Sequence, residues 1–204
     1  LGLSPASIDI VLMTHMHHDH SGGLTYVNEQ GELVSKYPNA KIIVNDVEWY
    51  EMRNPNNRTR GTYLRENWEP IQEQVTLYSE YINVIPEIQM IRTSGHSNGH
   101  SIVLLKQGED TMIHMGDLML THVHRNPLWV PAVDDYPMKS ILAKDKWLRQ
   151  AFENHYKFFF YHDQFFAVAE FDKEGKEFVD YVLRSRPPLI PFTDQQDRKP
   201  DFLG

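Results

Sequence analysis

Four histidines and an aspartate fall within residues 15–20, in the run Thr14-His15-Met16-His17-His18-Asp19-His20-Ser21-Gly22-Gly23. The apolar run Ile8 to Met13 leads straight into it, so a buried strand ends in a loop of imidazoles and a carboxylate. A lone surface histidine needs no explanation, but this cluster does. Burial and mutual repulsion make packed imidazoles costly unless something binds them as neutral donors. Imidazole with carboxylate suits a borderline divalent cation such as zinc. A tight loop cannot wrap four such side chains round one tetrahedral ion without crowding. It can offer His15 and His17 to one ion and Asp19 and His20 to a second, with His18 left at the surface or behind the site. Gly22 and Gly23 are expected to turn the chain sharply into a following helix.

The remaining sequence sets the frame for that cluster. The 204 residues contain no cysteine, which removes disulfides, thiolate nucleophiles and thiolate metal sites. The absence of cysteine suits a reducing compartment, and a cytoplasmic location is expected. Because the chain starts at Leu1, a preceding leader is left open. A formal charge of −8 without a basic cluster argues against nucleic acid as a partner. No stretch approaches the ~18 apolar residues of a membrane span. Short apolar runs read as strands: Ile8 to Met13, Lys41 to Val44, Ile88 to Arg92, Ser101 to Leu105, Thr111 to Met115, Phe158 to Tyr161 and Ala167 to Phe171. Gln107-Gly108-Glu109-Asp110 is a hairpin turn, and Phe178 to Leu183 reads as strand or helix. Asp46 is placed as the cap of a short helix through Trp49 and Met52. Ser140 to His155 has helical periodicity, broken only by Lys144, whose stem is expected to reach solvent. Asn54 to Pro70 reads as a long loop or lid with a helical piece, and residues 187–204 as an extended tail. The chain is taken as one α/β layered domain over residues 1–204.

Three further residues fit the cluster's chemistry, each at the end of an expected strand, where α/β sheets carry their sites. His96 lies in Thr93-Ser94-Gly95-His96-Ser97-Asn98-Gly99-His100-Ser101. Asp117 follows Met112-Ile113-His114-Met115-Gly116, where a carboxylate could bridge two cations. His162 closes Phe158-Phe159-Phe160-Tyr161 and precedes Asp163. His114, His122, His124 and His155 are read as non-ligands, and His100 as a partner behind the site.

With these residues in order, the chain resembles the metallo-β-lactamase superfamily, marked by His-x-His-x-Asp-His followed by a distant His, an Asp and a final His. The resemblance spans about residues 8–165 and implies an αββα sandwich. It also implies one divalent ion, most simply zinc, on His15, His17 and His96, a second on Asp19, His20 and His162, and Asp117 bridging both. That fold has several strands before its histidine cluster, whereas about 14 residues precede it here. Part of the N-terminal β layer is therefore expected to be missing from this chain. A flavin-dependent di-iron branch is disfavoured because residue 17 is His.

Within the superfamily, the segments His96 to Ser101, Met112 to Met119, Asn126 to Val130, Tyr161 to Asp163 and Glu66 to Ile71 resemble quorum-quenching N-acyl homoserine lactonases, in particular the YtnP-like lactonases. Some of these carry a Tyr three residues after the bridging Asp. Here that residue is Leu120, so carbonyl polarisation would fall to a metal or to Tyr63, Tyr136 or His122. The implied reaction is attack on the lactone carbonyl by a hydroxide shared between cations about 3.5–4 Å apart. Asp117 and Asp19 are its catalytic carboxylates, with Asp117 passing a proton after ring opening. Trp68, Met119, Trp129, Phe165 and Phe166 are the candidate apolar wall for the acyl chain. The partner expected is a small lactone or ester, with a homodimer possible. The competing readings are a dinuclear hydrolase of a phosphotriester, β-lactam or thioester, and a non-catalytic metal-binding scaffold.

Overall fold

Alternation along two central strands explains the architecture. In β4 (Lys41–Asn45), Ile42 and Val44 point to one side and Ile43 to the other, and all three are buried. In β8 (Ser101–Gln107), Ile102 and Leu104 face away from Val103 and Leu105. Strands buried on both faces need a layer on each side. The computed structural model, which describes residues 2–185, shows those layers.

In chain order the strands and helices are β1 (Ile10–Leu12), α1 (His18–Ser21), β2 (Thr25–Val27), β3 (Leu33–Ser35), β4, α2 (Asp46–Arg53), β5 (Val75–Tyr78), β6 (Tyr81–Ile85), β7 (Ile88–Arg92), β8, β9 (Asp110–His114), α3 (Pro137–Glu153), β10 (Lys157–Phe159), β11 (Phe166–Phe171) and β12 (Phe178–Leu183). One sheet is parallel, in the order β1-β4-β5. The other runs β12-β11-β10-β9-β8-β7-β6 and is antiparallel except between β9 and β10. β2 and β3 form a separate ribbon. Ile43, Tyr78, Met90 and Val103 fill the space between the two sheets. Ile42, Val44, Trp49, Met52 and Ile71 form the core on the outer side of the parallel sheet, where α2 packs. Ile102, Ile113, Leu118, Trp147, Leu148, Phe152 and Phe158 join α3 to the outer side of the larger sheet. The result is the expected αββα sandwich.

Several expectations change in detail. α3 begins at Pro137, and Lys144 is fully buried rather than extended to solvent. Its ammonium donates to the carbonyls of Asn126 (2.9 Å) and Trp129 (2.5 Å), which replace the hydration it gives up. The cap of α2 is Asn45, whose side chain accepts from Val47 N, and Asp46 is the first helical residue. Phe178 to Leu183 is a strand. No helix follows Gly22-Gly23; the helix is the single turn α1, which itself contains Asp19 and His20. Residues 54–74 form a loop with short 3-10 turns at Arg65–Asn67 and Glu69–Gln74. The expected tail at 187–204 lies outside the described residues. No helix among the described residues is long and apolar enough to cross a membrane.

Candidate metal centre

The seven residues singled out by motif and strand position converge at one end of the sandwich. His15 and His17 sit on the loop after β1. That loop is tied down by Met13 N donating to Ile43 O and by Ser101 N donating to Thr14 O. Asp19 and His20 lie on α1, whose Ser21 hydroxyl reaches back to the carbonyls of Met16 and His17. His96 occupies the turn between β7 and β8. Asp117 is in a 3-10 turn (Gly116–Met119) after β9, and His162 follows β10. Gly116 has φ +52°, and a Cβ there would stand 2.5 Å from His100 Nε2, so the approach to Asp117 requires glycine. His100 is fully buried, and its Nε2 accepts from Asp117 N at 3.1 Å.

Two donor groups result: His15, His17 and His96, all buried, and Asp19, His20, Asp117 and His162, of which Asp19 is exposed. Within each group the donor atoms lie within 4.8 Å of one another. Asp117 stands between them. Its Oδ2 is 3.3 Å from His96 Nε2 and 3.9 Å from His15 Nε2, while its Oδ1 is 3.2 Å from His20 Nε2 and 3.3 Å from His162 Nε2. Asp19 Oδ2 completes the second group at 3.3 Å from His20 and 3.4 Å from His162. Ring nitrogens face one another at 3.0 Å between His96 and His17 and at 3.2 Å between His20 and His162.

This arrangement fits cations better than an apo network. His15 Nε2, His17 Nε2 and Asp117 Oδ1 are buried and have no hydrogen-bond partner, an expensive state for groups aimed at one another. Burial, reinforced by the neighbouring imidazoles, holds His15 well below the usual histidine range, and burial and His96 bring His17 down to about 3. Both are therefore neutral donors at physiological pH. Burial also opposes charge on His96, but the hydrogen bond from its Nδ1 to Asp134 (2.9 Å) and the Asp117 charge outweigh it and raise its pKa. Asp134 thereby fixes which ring nitrogen of His96 faces the centre. The Asp117 carboxylate, 3.3 Å away, raises His162. For Asp117, burial is the largest influence and favours the acid, yet His162, His20 and His15 together hold it far below the carboxylate range. It stays an anion.

A cleft of about 480 Å³ opens on the centre, lined by His17, His18, Asp19, Arg58, Thr62, His96, Asp117, Leu120, Ala132, Val133, Asp135 and His162. None of the five expected wall residues lines it. Met119 is core at 2% exposed, beside Leu118. Trp68 packs edge-on against Trp49. Trp129 faces a different cleft with Arg125 and Arg149. Phe166 stacks on Phe178, and Phe165 is exposed near His122. The groups considered for carbonyl polarisation are also engaged elsewhere. The Tyr63 hydroxyl donates to Glu48, His122 contacts Asp163 at 2.6 Å, and Tyr136 lies under the Lys139 ammonium. The apolar residues that line the cleft are Leu120, Ala132 and Val133.

Four supporting residues were not singled out from the sequence. These are Asp134, Glu48, Arg58 and Arg184. Arg58 bonds Asp135 and the carbonyls of Ala132 and Asp134, which shapes one side of the cleft. Arg184 donates to the carbonyls of Phe160, Tyr161 and Asp163 and so holds the loop that carries His162.

The chain is similar to proteins of one known superfamily. The family model for the metallo-beta-lactamase superfamily matches residues 1–162. An N-acyl homoserine lactonase of Bacillus cereus is 26% identical over 113 residues, covering 55% of this chain and 39% of that protein. A hydroxyacylglutathione hydrolase of Prochlorococcus marinus is 26% identical over 115 residues, covering 56% and 37%. The chain thus spans about two fifths of the length of these relatives. Among solved structures, a probable metal-dependent hydrolase from Staphylococcus aureus is 38% identical with a TM-score of 0.86, over 91% of this chain and 66% of that one.

Proposed function

The chain belongs to the metallo-β-lactamase superfamily, and from that premise we propose that it is a hydrolase with two divalent cations, zinc in the simplest case, that opens the ring of N-acyl homoserine lactones. The observation that carries the reading is the position of Asp117, with one carboxylate oxygen toward His15 and His96 and the other toward His20 and His162. In this reading His15, His17 and His96 hold one cation in an enclosed pocket, Asp19, His20 and His162 hold the other in an open pocket, and Asp117 serves both. When bound, such a pair supplies an electrophile for the ester carbonyl and an activated water at neutral pH.

The chain's own residues then do the following work. Asp134 orients His96, and His100 orients Asp117 through its backbone N–H. Asp117 is held as an anion between the two donor groups by His162, His20 and His15. Asp19 is the carboxylate that reaches solvent at the mouth of the cleft. It is assigned to take the proton released as the carbonyl is attacked and to pass it to the ring oxygen as that oxygen leaves. Leu120, Ala132 and Val133 receive the acyl chain, and Arg58 keeps that wall in place. No protein nucleophile is needed.

The lactone preference draws on the likeness to the Bacillus cereus lactonase. The equal likeness to a hydroxyacylglutathione hydrolase favours a thioester as the second reading. Proton release from homoserine lactones, compared with turnover of lactoylglutathione, paraoxon and nitrocefin, separates them. Lactone turnover that chelation abolishes and zinc restores is expected. Thioester turnover with inert lactones would reverse the assignment, and a metal-loaded protein inert to all four would end the hydrolase reading.

A further inference from the structure

Glu48 plays no part in the chemistry above, yet it is a fully buried carboxylate on α2, directly behind the centre. Its Oε1 accepts from Met16 N at 2.8 Å and from the Tyr63 hydroxyl at 3.1 Å, and its Oε2 accepts from the Ser97 hydroxyl at 2.5 Å. Met16 stands between His15 and His17, and Ser97 follows His96. One carboxylate therefore joins the loop bearing two of the enclosed-pocket histidines to the turn bearing the third. Among the described residues Glu48 takes part in no ion pair. A buried carboxylate with only hydrogen bonds to compensate it is a costly way to glue two loops together. The packing around it leaves no slack, since a Cβ added to Gly99 would lie 2.1 Å from Glu48 N and 2.4 Å from its Cα.

We propose that Glu48 is a positioning residue that presets the enclosed three-histidine pocket by fixing the backbone on both sides of it. The proposal rests on the cation-holding half of the function above and is independent of which ester is cleaved. The open pocket gives the contrast. Asp19, His20, Asp117 and His162 are oriented by α1, His100 and Arg184, and none of these accepts or donates a bond to Glu48. A general structural role would weaken both pockets together. A positioning role weakens the enclosed one.

The test is titration of metal-stripped protein with Co²⁺, read by bound stoichiometry and the visible d–d spectrum. It is run in the wild-type background, in His162→Ala, which cripples the open pocket, and in His96→Ala, which cripples the enclosed one. Glu48→Ala is expected to weaken the enclosed pocket about 10–100-fold, the range for removing a partner that orients a ligand, and to leave the open pocket within about threefold. Glu48→Gln keeps an oxygen for Met16 and Tyr63 and an N–H₂ for Ser97, and is expected to rescue most of the loss. Ser97→Ala deletes one of the bonds without creating a large cavity. It is expected to reproduce part of the loss with a melting temperature near wild type, and it decides the matter should Glu48→Ala not fold. Equal weakening of both pockets, or unchanged Co²⁺ affinity in Ser97→Ala and Glu48→Ala, overturns the proposal. Wild-type protein that takes up no Co²⁺ overturns the metal reading as well, whereas uptake without lactone turnover removes only the substrate assignment.

Discussion

A single methyl group at position 99 should separate the αββα packing from the site it supports. Gly99 has no positive φ, so alanine brings no backbone strain there, and the whole effect is steric. The added Cβ would lie 2.1 Å from Glu48 N, 2.4 Å from its Cα and 2.4 Å from its Cβ. Ordinary contact begins near 3.4 Å, so α2 or the turn at residues 97–100 must move by about an ångström. The obstacle is helix backbone and cannot rotate away. Overpacking of this kind costs about 1–3 kcal/mol, and a clash against backbone belongs at the upper end. For a chain of this size that corresponds to a fall of roughly 6–12 °C in Tm. Gly23→Ala is the control, because nothing lies within 4 Å of its added Cβ. Thermal melts of the metal-stripped protein measure the packing cost, and Co²⁺ titration reads the displacement of His96 and of Glu48 beneath it. A Gly99→Ala protein that melts within about 2 °C of Gly23→Ala would show that α2 and the turn are not in hard contact, and the packing argument would fail.

Other outcomes follow from the same geometry. Asp117→Asn keeps the shape but turns an N–H₂ toward one of the two donor groups, so bound metal should fall from two ions toward one and ester turnover by at least ~10³-fold, measured by metal analysis and steady-state rates. In metal-stripped protein, His17 at about 3 lies below the 6.5 of an unfolded histidine, so between those values the unfolded chain binds a proton that the folded one refuses. Stability is therefore expected to drop as pH falls through that window, by up to about 4–5 kcal/mol from His17 and partly offset by the raised His96 and His162, and urea midpoints in His17→Leu should show a shallower fall. Arg184→Met frees the carbonyls of Phe160, Tyr161 and Asp163 and should weaken the open pocket roughly tenfold or more in the same Co²⁺ assay, with the enclosed pocket spared.

The donor set was legible because its chemistry is local or punctuated. His15 to His20 crowd into six residues, and His96, Asp117 and His162 each end an apolar run. The strands β2, β3, β5 and β6 were not expected from the sequence: the first three are three or four residues long and largely half-buried or exposed, and β6, Tyr81–Ile85, alternates exposed and half-buried residues and buries none fully. The candidate wall residues lie away from the cleft for a related reason. Size and hydrophobicity single out Met119 and Trp68, but the core claims such residues first, and the cleft receives the smaller Leu120, Ala132 and Val133. The supporting layer did leave a trace, though one open to misreading. Lys144 interrupts the apolar stripe of α3, and Glu48 sits beside Trp49 and Met52 on the buried side of α2. An exposed stem is the ordinary explanation for such an interruption. Here both charged ends point inward onto loops that build the site: Glu48 onto Met16 and Ser97, Lys144 onto the carbonyls of Asn126 and Trp129 in the segment leading to Asp134. Burial pushes Lys144 down to about 8 and pushes Glu48 up. Each helix therefore carries a charge that the fold disfavours, and each is held by bonds to the loops around the centre. A charged residue inside an apolar helical stripe, in a chain whose strands end in ligand-type residues, is better read as a brace for the site than as a side chain escaping to water.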